Sequence, residues 1–402
     1  MDNDAAAWHH ALTSLITAGH SLPASDLATA LAEVLRPLGI GAAVFLVDRE
    51  QRTLRMLAAR NQPDREPIPI EGSLGGRAYM LVTPLYAASE PTRVWMPIVD
   101  GTERLGVVEL TLPEGMDFED PRVRADIDAM AGLLGHLVVA KTQYGDTISR
   151  ARSSQAASAG AETLWRLLPP LTFTTHDLVI AAILEPCYTI GGDAYDYAVD
   201  GRRARIAIFD SLGHGLGAAL TTTVALGASR SVRIQGADLT DMAAAVDAAI
   251  TDEFDDSRFA TAVLADLDLV TGVLRYINAG HPPPVLIRGG KAVTRLDAGR
   301  RMPLGLTDPH VQVAELALEP EDRLLFYTDG FTEAHDERDE QFGLERLIDV
   351  AERHAIAGLA PPEMLRRLGH DLLDYQHGPL RDDATLLMLT WNSPVSAEMT
   401  LP

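Results

Sequence analysis

The chain has 402 residues, which is enough for about two or three domains with cores of their own. Acidic residues outnumber basic ones by 57 to 34, and the net charge of -23 disfavours nonspecific attraction to nucleic acid or to an anionic membrane. The single cysteine, Cys187, excludes an internal disulfide and fits a reducing compartment. The N-terminus is acidic where a secretory signal is basic, and no apolar run reaches the roughly 18 residues of a membrane span, so a cytoplasmic protein is expected.

Residues 5–141 are predicted to form one α+β domain. Helical periodicity covers 8–18 and 25–38. Strand-like runs follow at 42–47, 54–58, 93–98 and 105–112. The pair Asp100-Gly101 between the last two runs is a strong hairpin signal. A closing helix is expected to begin near Pro121.

This order of elements resembles a GAF domain. The segment RVWMPIVDGTERLGVVELTL at 93–112 is similar to the late strands of that family. The resemblance implies a domain that senses a small molecule or mediates dimerisation, although a PAS-like sensor would give a similar pattern. No residue identifies the ligand, and His9, His10 and His20 are interpreted as solvent-facing or helix-packing side chains rather than haem ligands.

Residues 142–168 are predicted to be a helical connector. Apolar residues recur three and four positions apart, as in a coiled-coil seam, at Leu133, Leu137, Ala140, Tyr144, Ile148 and Ala151. Pro169-Pro170 ends the helical pattern. The connector is expected either to join two protomers in a homodimer or to serve as a plain interdomain linker.

Residues 169–392 are predicted to form a second domain, and 393–402 a loose tail. The expected strands lie at 178–184, 205–209, 261–267, 273–278, 285–288, 311–318, 323–327 and 384–389. The expected helices lie at 217–233, 239–254, 344–354 and 362–375. Strands in groups and helices in pairs favour sheets that lie between helix layers.

Four acidic motifs are spread over this second domain. They are GGDAYD at 191–196, DSLGHG at 210–215, YTDG at 327–330 and RDDAT at 381–385. Each ends or follows an apolar run, and the glycines at 191, 192, 213 and 215 are expected to allow close backbone approach and positive φ. Aspartates that several strands bring together are hard oxygen ligands for a divalent cation. The motifs therefore predict a cation site.

Two other interpretations of these motifs are less consistent with their context. Gly213, Gly215 and Ala218 follow a strand with the G-x-G-x-x-A spacing of a dinucleotide-binding turn, but a second predicted helix follows where a parallel strand should stand. Asp210 at the strand end would also repel a pyrophosphate. Turn and helix capping explains any one motif, since Asp and Gly favour such positions, yet four motifs together favour a cation site.

The region from Trp165 to Trp391 closely resembles the bacterial SpoIIE-type phosphatases of the PPM, or protein phosphatase 2C-like, superfamily. The resemblance rests on segments in the order of that family: LLPP, GGDAYD, DSLGHG, FATAVLADLD, YINAGHPPPVL, PLGL, LLFYTDGFTEA and RDDATLLML. It covers more than half of the chain. It implies a metal-dependent serine/threonine phosphatase with an α-β-β-α sandwich and two Mn²⁺ or Mg²⁺ ions between its sheets.

The same resemblance implies a set of metal ligands. Asp210 would bridge the two ions, and the backbone carbonyl of Ser211 would contribute to the same centre. Asp193 would hold one ion, while Asp329 and Asp382 would hold the other. Carboxylates and carbonyls suit Mg²⁺ or Mn²⁺, and the lack of a His or Cys ligand set argues against zinc.

Four neighbouring residues have two interpretations each, and for His281 the second is a place in the lining of the cleft. Asp196 and Asp383 are expected to be either indirect metal contacts, through water or a ligand, or turn caps. His214 could donate a proton to the leaving serine oxygen or pack at the start of the next helix, and the catalytic role is favoured. His281 in NAGHPPP is interpreted as structural. The motifs contain no arginine where the family would use one to bind phosphate, so they do not explain how the phosphate is oriented.

These inferences predict a phosphatase that removes phosphate from Ser or Thr of a partner protein under the control of the N-terminal domain. By the resemblance, the target is a phosphorylated anti-anti-sigma protein with a STAS domain, which is an analogy at the level of the family. The alternative is a catalytically idle module whose phosphatase-like fold only docks a partner. A metal-dependent release of phosphate separates the two.

Overall fold

The computed structural model describes residues 2–392 except 61, 88–91, 187, 190, 255–256, 377–379 and 381. Cys187 and the predicted tail at 393–402 therefore lie outside the described residues. The chain divides into two compact units, Met1–Ala156 and Ala157–Pro402. In the part of the chain that is described, every helix falls short of the length or the apolar character that crossing a bilayer requires.

The first unit is built on a six-stranded antiparallel sheet with the strand order β3-β2-β1-β6-β5-β4. Its strands are β1 (Gly41–Val47), β2 (Thr53–Leu57), β3 (Ile68–Pro69), β4 (Leu85–Ala87), β5 (Arg93–Asp100) and β6 (Glu103–Thr111). Its helices are α1 (Asp2–Ser21), α2 (Leu27–Leu35), α3 (Leu74–Leu81), α4 (Pro121–Thr142) and α5 (Thr147–Ala151). The predicted hairpin at Asp100-Gly101 joins β5 and β6, and Gly101 has a φ of 57°.

Alternation along the strands gives this sheet two apolar faces. Val44 and Leu46 of β1 pack with helices α1, α2 and α4, whereas Phe45 and Val47 pack with α3. The sequence did not indicate α3, since its two glycines lower helix propensity. One of them is required by packing, because a Cβ at Gly76 would lie 1.9 Å from the carbonyl oxygen of Ile70.

The helical pattern between 133 and 168 is divided among three separate helices. Helix α4 ends at Thr142, α5 follows, and α6 (Ala159–Leu167) belongs to the second unit. Ile148 is fully buried in the core of the first unit and Leu164 in that of the second. Ile148 therefore packs inside its own protomer and is not free to contact another copy.

The second unit contains two six-stranded sheets. One has the order β15-β12-β11-β10-β9 with β16 paired to β12, and the other has the order β14-β13-β17-β18-β8-β7. The strands are β7 (Thr172–Thr174), β8 (Leu178–Glu185), β9 (Asp193–Asp200), β10 (Arg203–Ser211), β11 (Ala260–Asp268), β12 (Val273–Ala279), β13 (Val285–Arg288), β14 (Lys291–Arg295), β15 (Arg300–Arg301), β16 (Ala314–Ala317), β17 (Arg323–Tyr327) and β18 (Ala384–Trp391). The remaining helices are α7 (Gly215–Ile234), α8 (Leu239–Phe254), α9 (Asp329–Thr332), α10 (Leu344–Ile356) and α11 (Pro361–Gln376).

The second unit has four layers, two of helices and two of strands, and the buried apolar side chains show how they are stacked. Side chains such as Ile206 of β10 and Leu387 of β18 form a core between the two sheets. Helices α7 and α8 cover the outer face of the β9–β12 sheet, and α10 and α11 cover that of the other sheet. The result is an α-β-β-α sandwich, which agrees with the architecture predicted for this part of the chain.

Candidate metal centre

Two antiparallel strands bring the first pair of predicted ligands together. Asp193 is the first residue of β9, and it lies directly opposite Asp210 near the end of β10. Residues directly opposite each other in an antiparallel pair have Cβ atoms about 5 Å apart. The GGDAYD motif follows the apolar strand β8, as expected of a motif that follows an apolar run, and it leads into β9.

The backbone around this pair is close-packed, as its glycines indicated. A Cβ at Gly191 would lie 2.4 Å from the amide nitrogen of Gly215, and a Cβ at Gly192 would lie 2.9 Å from the carbonyl oxygen of Ser211. Gly215 also has a positive φ of 73°. The turns at 191–192 and 213–215 therefore pack directly against each other beside Asp193.

Asp383 joins the second sheet to this turn. Its Oδ2 atom accepts hydrogen bonds from the amides of Gly191 and Gly192, at 2.7 and 2.6 Å. Its carboxyl also lies close enough to Asp193 and Asp210 to raise the pKa of both. Asp383 was expected to be either an indirect metal contact or a turn cap. These two hydrogen bonds are those of a cap on the turn that contains Gly191 and Gly192.

A threonine that sequence reasoning did not single out holds Asp193. The hydroxyl of Thr328 donates to Oδ2 of Asp193 at 2.7 Å and accepts from the amide of Thr385 at 2.9 Å. Thr328 stands in YTDG and Thr385 in RDDAT, so both motifs were noticed for their acids alone. The only sequence signal for these two threonines is that each lies within two residues of an aspartate of its motif.

Burial and like charge raise the pKa values of the carboxyls in this region. The pKa of Asp193 lies well above its ordinary value because the side chain is buried and because Asp210 and Asp383 are near. Burial, followed by the charges of Asp329, Asp382 and Asp383, raises the pKa of Asp210 to about 8. Burial also raises the pKa of Asp329. Predicted ligands from all four motifs thus lie within electrostatic reach of one another.

These residues fit a divalent cation in donor type and in charge. All offer the oxygen ligands that Mg²⁺ and Mn²⁺ prefer, and a cation would reduce the repulsion between the carboxylates. Across the described ranges, no group of three or more Asp, Glu, His or Cys side chains converges closely enough to hold a metal ion. The exact ligand set therefore stays a prediction.

Asp196 does not belong to this cluster, so its expected role near the metal is wrong. It is buried, and its two carboxylate oxygens pair with Arg230 and Arg233 of α7. The guanidinium of Arg230 also donates to the carbonyl of Leu167 in α6, at 2.8 Å. Asp196 instead fastens β9 to the helix layer.

The two histidines near the site have different environments. His214 is exposed at the N-cap of α7, and its side chain makes no capping hydrogen bond. His281 is buried, and its Nδ1 atom lies 2.7 Å from the hydroxyl of Thr261. The exposed position leaves His214 open to a substrate, whereas burial of His281 agrees with the structural interpretation.

Comparison with known proteins gives relatives for the second unit. Residues 200–392 match the family model of Stage II sporulation protein E (SpoIIE). The phosphoserine phosphatase RsbU of Bacillus subtilis (strain 168) is 29% identical over 216 residues, which cover 53% of this chain and 63% of that relative. The phosphoserine phosphatase RsbP of the same organism is 29% identical over 147 residues, which cover 35% of this chain and 36% of that relative. The matched part thus spans less than two thirds of either relative.

A solved structure supports the same assignment of the fold. The SiaA-PP2C domain of Pseudomonas aeruginosa has a TM-score of 0.50 and 24% sequence identity, and the match covers 63% of this chain and 100% of that domain. At this identity the likeness concerns the fold alone. The second unit therefore contains a phosphatase domain of the SpoIIE/PP2C type, and its match to the SpoIIE family model covers residues 200–392.

Proposed function

We propose that this chain is a metal-dependent protein phosphatase that hydrolyses phosphoserine or phosphothreonine on a regulatory partner protein. The observation that carries the proposal is the gathering of Asp193, Asp210, Asp329 and Asp382 from four motifs into one region of mutually repelling carboxyls. Two Mn²⁺ or Mg²⁺ ions are the cofactors that suit these donors. The names of RsbU and RsbP, both phosphoserine phosphatases, support the same reaction.

The chain's own residues would orient the reaction. When bound, the cations would neutralise phosphate oxygens and lower the pKa of a water that attacks phosphorus. Thr328 fixes the carboxylate of Asp193 through its hydroxyl, and Asp383 fixes the neighbouring turn. As the bond from the water oxygen to phosphorus forms, the bond from phosphorus to the serine oxygen breaks. His214, exposed beside Gly215, would give the leaving oxygen a proton.

The test is release of phosphate from p-nitrophenyl phosphate and from a phosphoserine peptide with Mn²⁺ present. We expect Asp210→Asn and Asp329→Asn each to lower kcat by about a hundredfold or more, because each removes a charge that holds a cation. Chelation should abolish the activity, and added Mn²⁺ should restore it. The matched control is Asp200→Asn, which changes an exposed acid at the far end of β9.

Two outcomes would contradict this function. One is a well-folded wild-type chain that releases no phosphate with either metal. The other is a pair of Asp variants as active as the wild type. The first outcome would favour a phosphatase-like module that only docks a partner.

The substrate is proposed to be an anti-anti-sigma protein with a STAS domain, by analogy with the family. A comparison of phosphoproteins in cells with the wild-type chain and with Asp210→Asn tests this identity. The protein that keeps its phosphate only in the variant strain is the substrate. A STAS protein that loses its phosphate equally in both strains would contradict the choice.

The first unit is proposed to be a GAF-like sensor that regulates this activity. A cavity of about 470 Å³ lies against its sheet, and Arg65, Arg93 and Glu109 contribute to the lining. Glu109 is buried and pairs with both arginines. These charges favour a polar small molecule as the signal. A homodimer remains part of the proposal, and light scattering that reports a monomer at micromolar concentration would contradict it.

A further inference from the structure

Arg258 lies outside all four acidic motifs, on the segment that leads into strand β11 beside Asp210 and Ser211. It precedes β11, whose residues Ala260 and Thr261 lie opposite Ser211 and Asp210 of β10. The amide of Leu212 donates to the carbonyl of Phe259 at 3.1 Å, so the pairing continues to the residue next to Arg258. Arg258 therefore stands about 10 Å along the strand from the residue opposite Asp210.

The guanidinium of Arg258 lies against the first turn of α7. A Cβ at Gly217 would lie 2.5 Å from its Nη2 atom and 3.1 Å from its Cζ atom, so glycine leaves the room that the guanidinium occupies. Two residues earlier, Gly215 packs against Gly191 of the GGD turn. A short chain of contacts thus runs from Asp193 through the two turns to Arg258.

Arg258 differs in its partners from most arginines of the second unit. Many of these form ion pairs with buried carboxylates, namely Arg230 and Arg233 with Asp196, Arg288 with Asp322, Arg301 with Asp247, and Arg366 with Glu363. Arg258 is half-buried and makes no ion pair with a carboxylate of the described residues, while its guanidinium lies 5.9 Å from the ring centroid of Phe254. Asp255 and Asp256 lie outside the described residues.

The charge around the centre makes an unpaired guanidinium useful there. The candidate centre is built of carboxylates, and the chain carries a net charge of -23, so a phosphorylated protein meets mostly repulsion. A guanidinium presents several donors in a planar fork that matches two oxygens of a phosphate. Such a group beside the carboxylates would attract the phosphate and fix its orientation.

We propose that Arg258 binds the phosphate of the substrate and orients it toward the candidate metal centre. This inference rests on the proposed function and adds a residue that the acidic motifs do not contain. It also supplies the phosphate-orienting cation that those motifs lack. The ligand it recognises is a phosphomonoester dianion or inorganic phosphate, the product.

The first test compares Arg258→Ala, Arg258→Lys and the control Arg275→Ala in the full chain with Mn²⁺. Arg275 pairs with Glu315 on the surface and lies opposite Asp266, about 17 Å along β11 from Thr261. We expect Arg258→Ala to raise both KM for a phosphoserine peptide and the inhibition constant of inorganic phosphate about ten- to hundredfold. Arg258→Lys should recover part of the loss, because it keeps the charge without the fork. Arg275→Ala should stay within about twofold of the wild type.

A second variant, Gly217→Ala, keeps Arg258 but forces its guanidinium to shift. Gly217→Ala places a methyl group where the guanidinium lies, and alanine also has a higher helix propensity than glycine. We therefore expect Gly217→Ala to be at least as stable as the wild type and yet to bind inorganic phosphate more weakly. A structural role for Arg258 predicts lower stability without this selective loss.

Calorimetry of inorganic phosphate binding to the Mn²⁺-loaded chain separates the two proposals. If the wild type hydrolyses no phosphoester, the proposed function fails, and phosphate binding still tests Arg258. Weaker phosphate binding in Arg258→Ala, with unchanged Mn²⁺ affinity, supports the inference. Phosphate affinity equal to that of Arg275→Ala overturns it, whatever the turnover.

Discussion

His281 shows how burial decides the chemistry of a single residue in this fold. Its backbone amide donates to Oδ1 of Asn278 at 2.9 Å, and its ring contacts the hydroxyl of Thr261. Burial lowers the pKa of His281 to about 3, while the carbonyl of Tyr327 opposes the shift. The ring is therefore neutral at physiological pH and fastens β11 to the turn after β12.

This shift predicts a pH dependence of stability. The ordinary pKa of His is 6.5, so between pH 6.5 and about 3 the unfolded chain binds a proton at His281 that the folded chain does not. The free energy of unfolding should therefore fall as the pH decreases through this window, by up to about 1.4 kcal/mol per pH unit. Denaturant unfolding of the wild type and of His281→Asn, between about pH 7 and 5, measures the difference in slope.

The variant serves as the control for all other titrating groups, because they are common to both proteins. Carboxyls with raised pKa values act in the opposite direction, but they cancel in the difference. We expect the wild type to lose more stability than His281→Asn as the pH is lowered. Equal slopes would mean that His281 is protonated in the folded chain as readily as in the unfolded one.

At the scale of the element, strand β9 separates two acids that share one motif. Asp193 and Asp196 are three residues apart, and an odd spacing places side chains on opposite faces of a strand. Asp193 accepts a hydrogen bond from Thr328, which directly follows β17 of the other sheet, whereas Asp196 accepts hydrogen bonds from arginines of α7. The same motif therefore supplies one residue to the candidate centre and another to the packing of a helix.

We predict that Asp196→Asn destabilises the second unit without weakening its affinity for metal. Asp196 is 2% exposed, and its loss would leave Arg230 and Arg233 without their partner. Removing one partner of a buried ion pair costs about 3 kcal/mol. Denaturant unfolding and Mn²⁺ calorimetry measure the two effects, with Asp200→Asn as the control. A loss of Mn²⁺ affinity at normal stability would return Asp196 to the metal site.

The sequence predicted those elements whose pattern is strong and local. Helix α8 and strand β17 have the bounds that their apolar periodicity indicated, 239–254 and 323–327. Strand β9 was not predicted, because DAYDYAVD places acids among its apolar residues. The roles of Thr328 and Asp196 depend on which strand or helix lies across from them. Such long-range pairings are set by the tertiary fold and leave no local signal.

At the scale of the whole molecule, each core formed by the described buried residues belongs to a single unit. The buried residues of the first unit fall between Trp8 and Ile148, and those of the second between Ala161 and Trp391. All four acidic motifs lie in the second unit. The second unit therefore contains both a core of its own, which independent folding requires, and the candidate site, which catalysis requires.

We therefore predict that a fragment of residues 157–402 folds alone and keeps Mn²⁺-dependent hydrolysis of p-nitrophenyl phosphate. Asp210→Asn should abolish that activity in the fragment as in the full chain, because the candidate ligands are all present. A fragment of residues 1–156 should fold and release no phosphate. Circular dichroism and phosphate release measure both properties. An unfolded 157–402 fragment would contradict the independence of the two cores. If the fragment folds and differs from the full chain in kcat or KM, the difference measures the regulation that the first unit imposes.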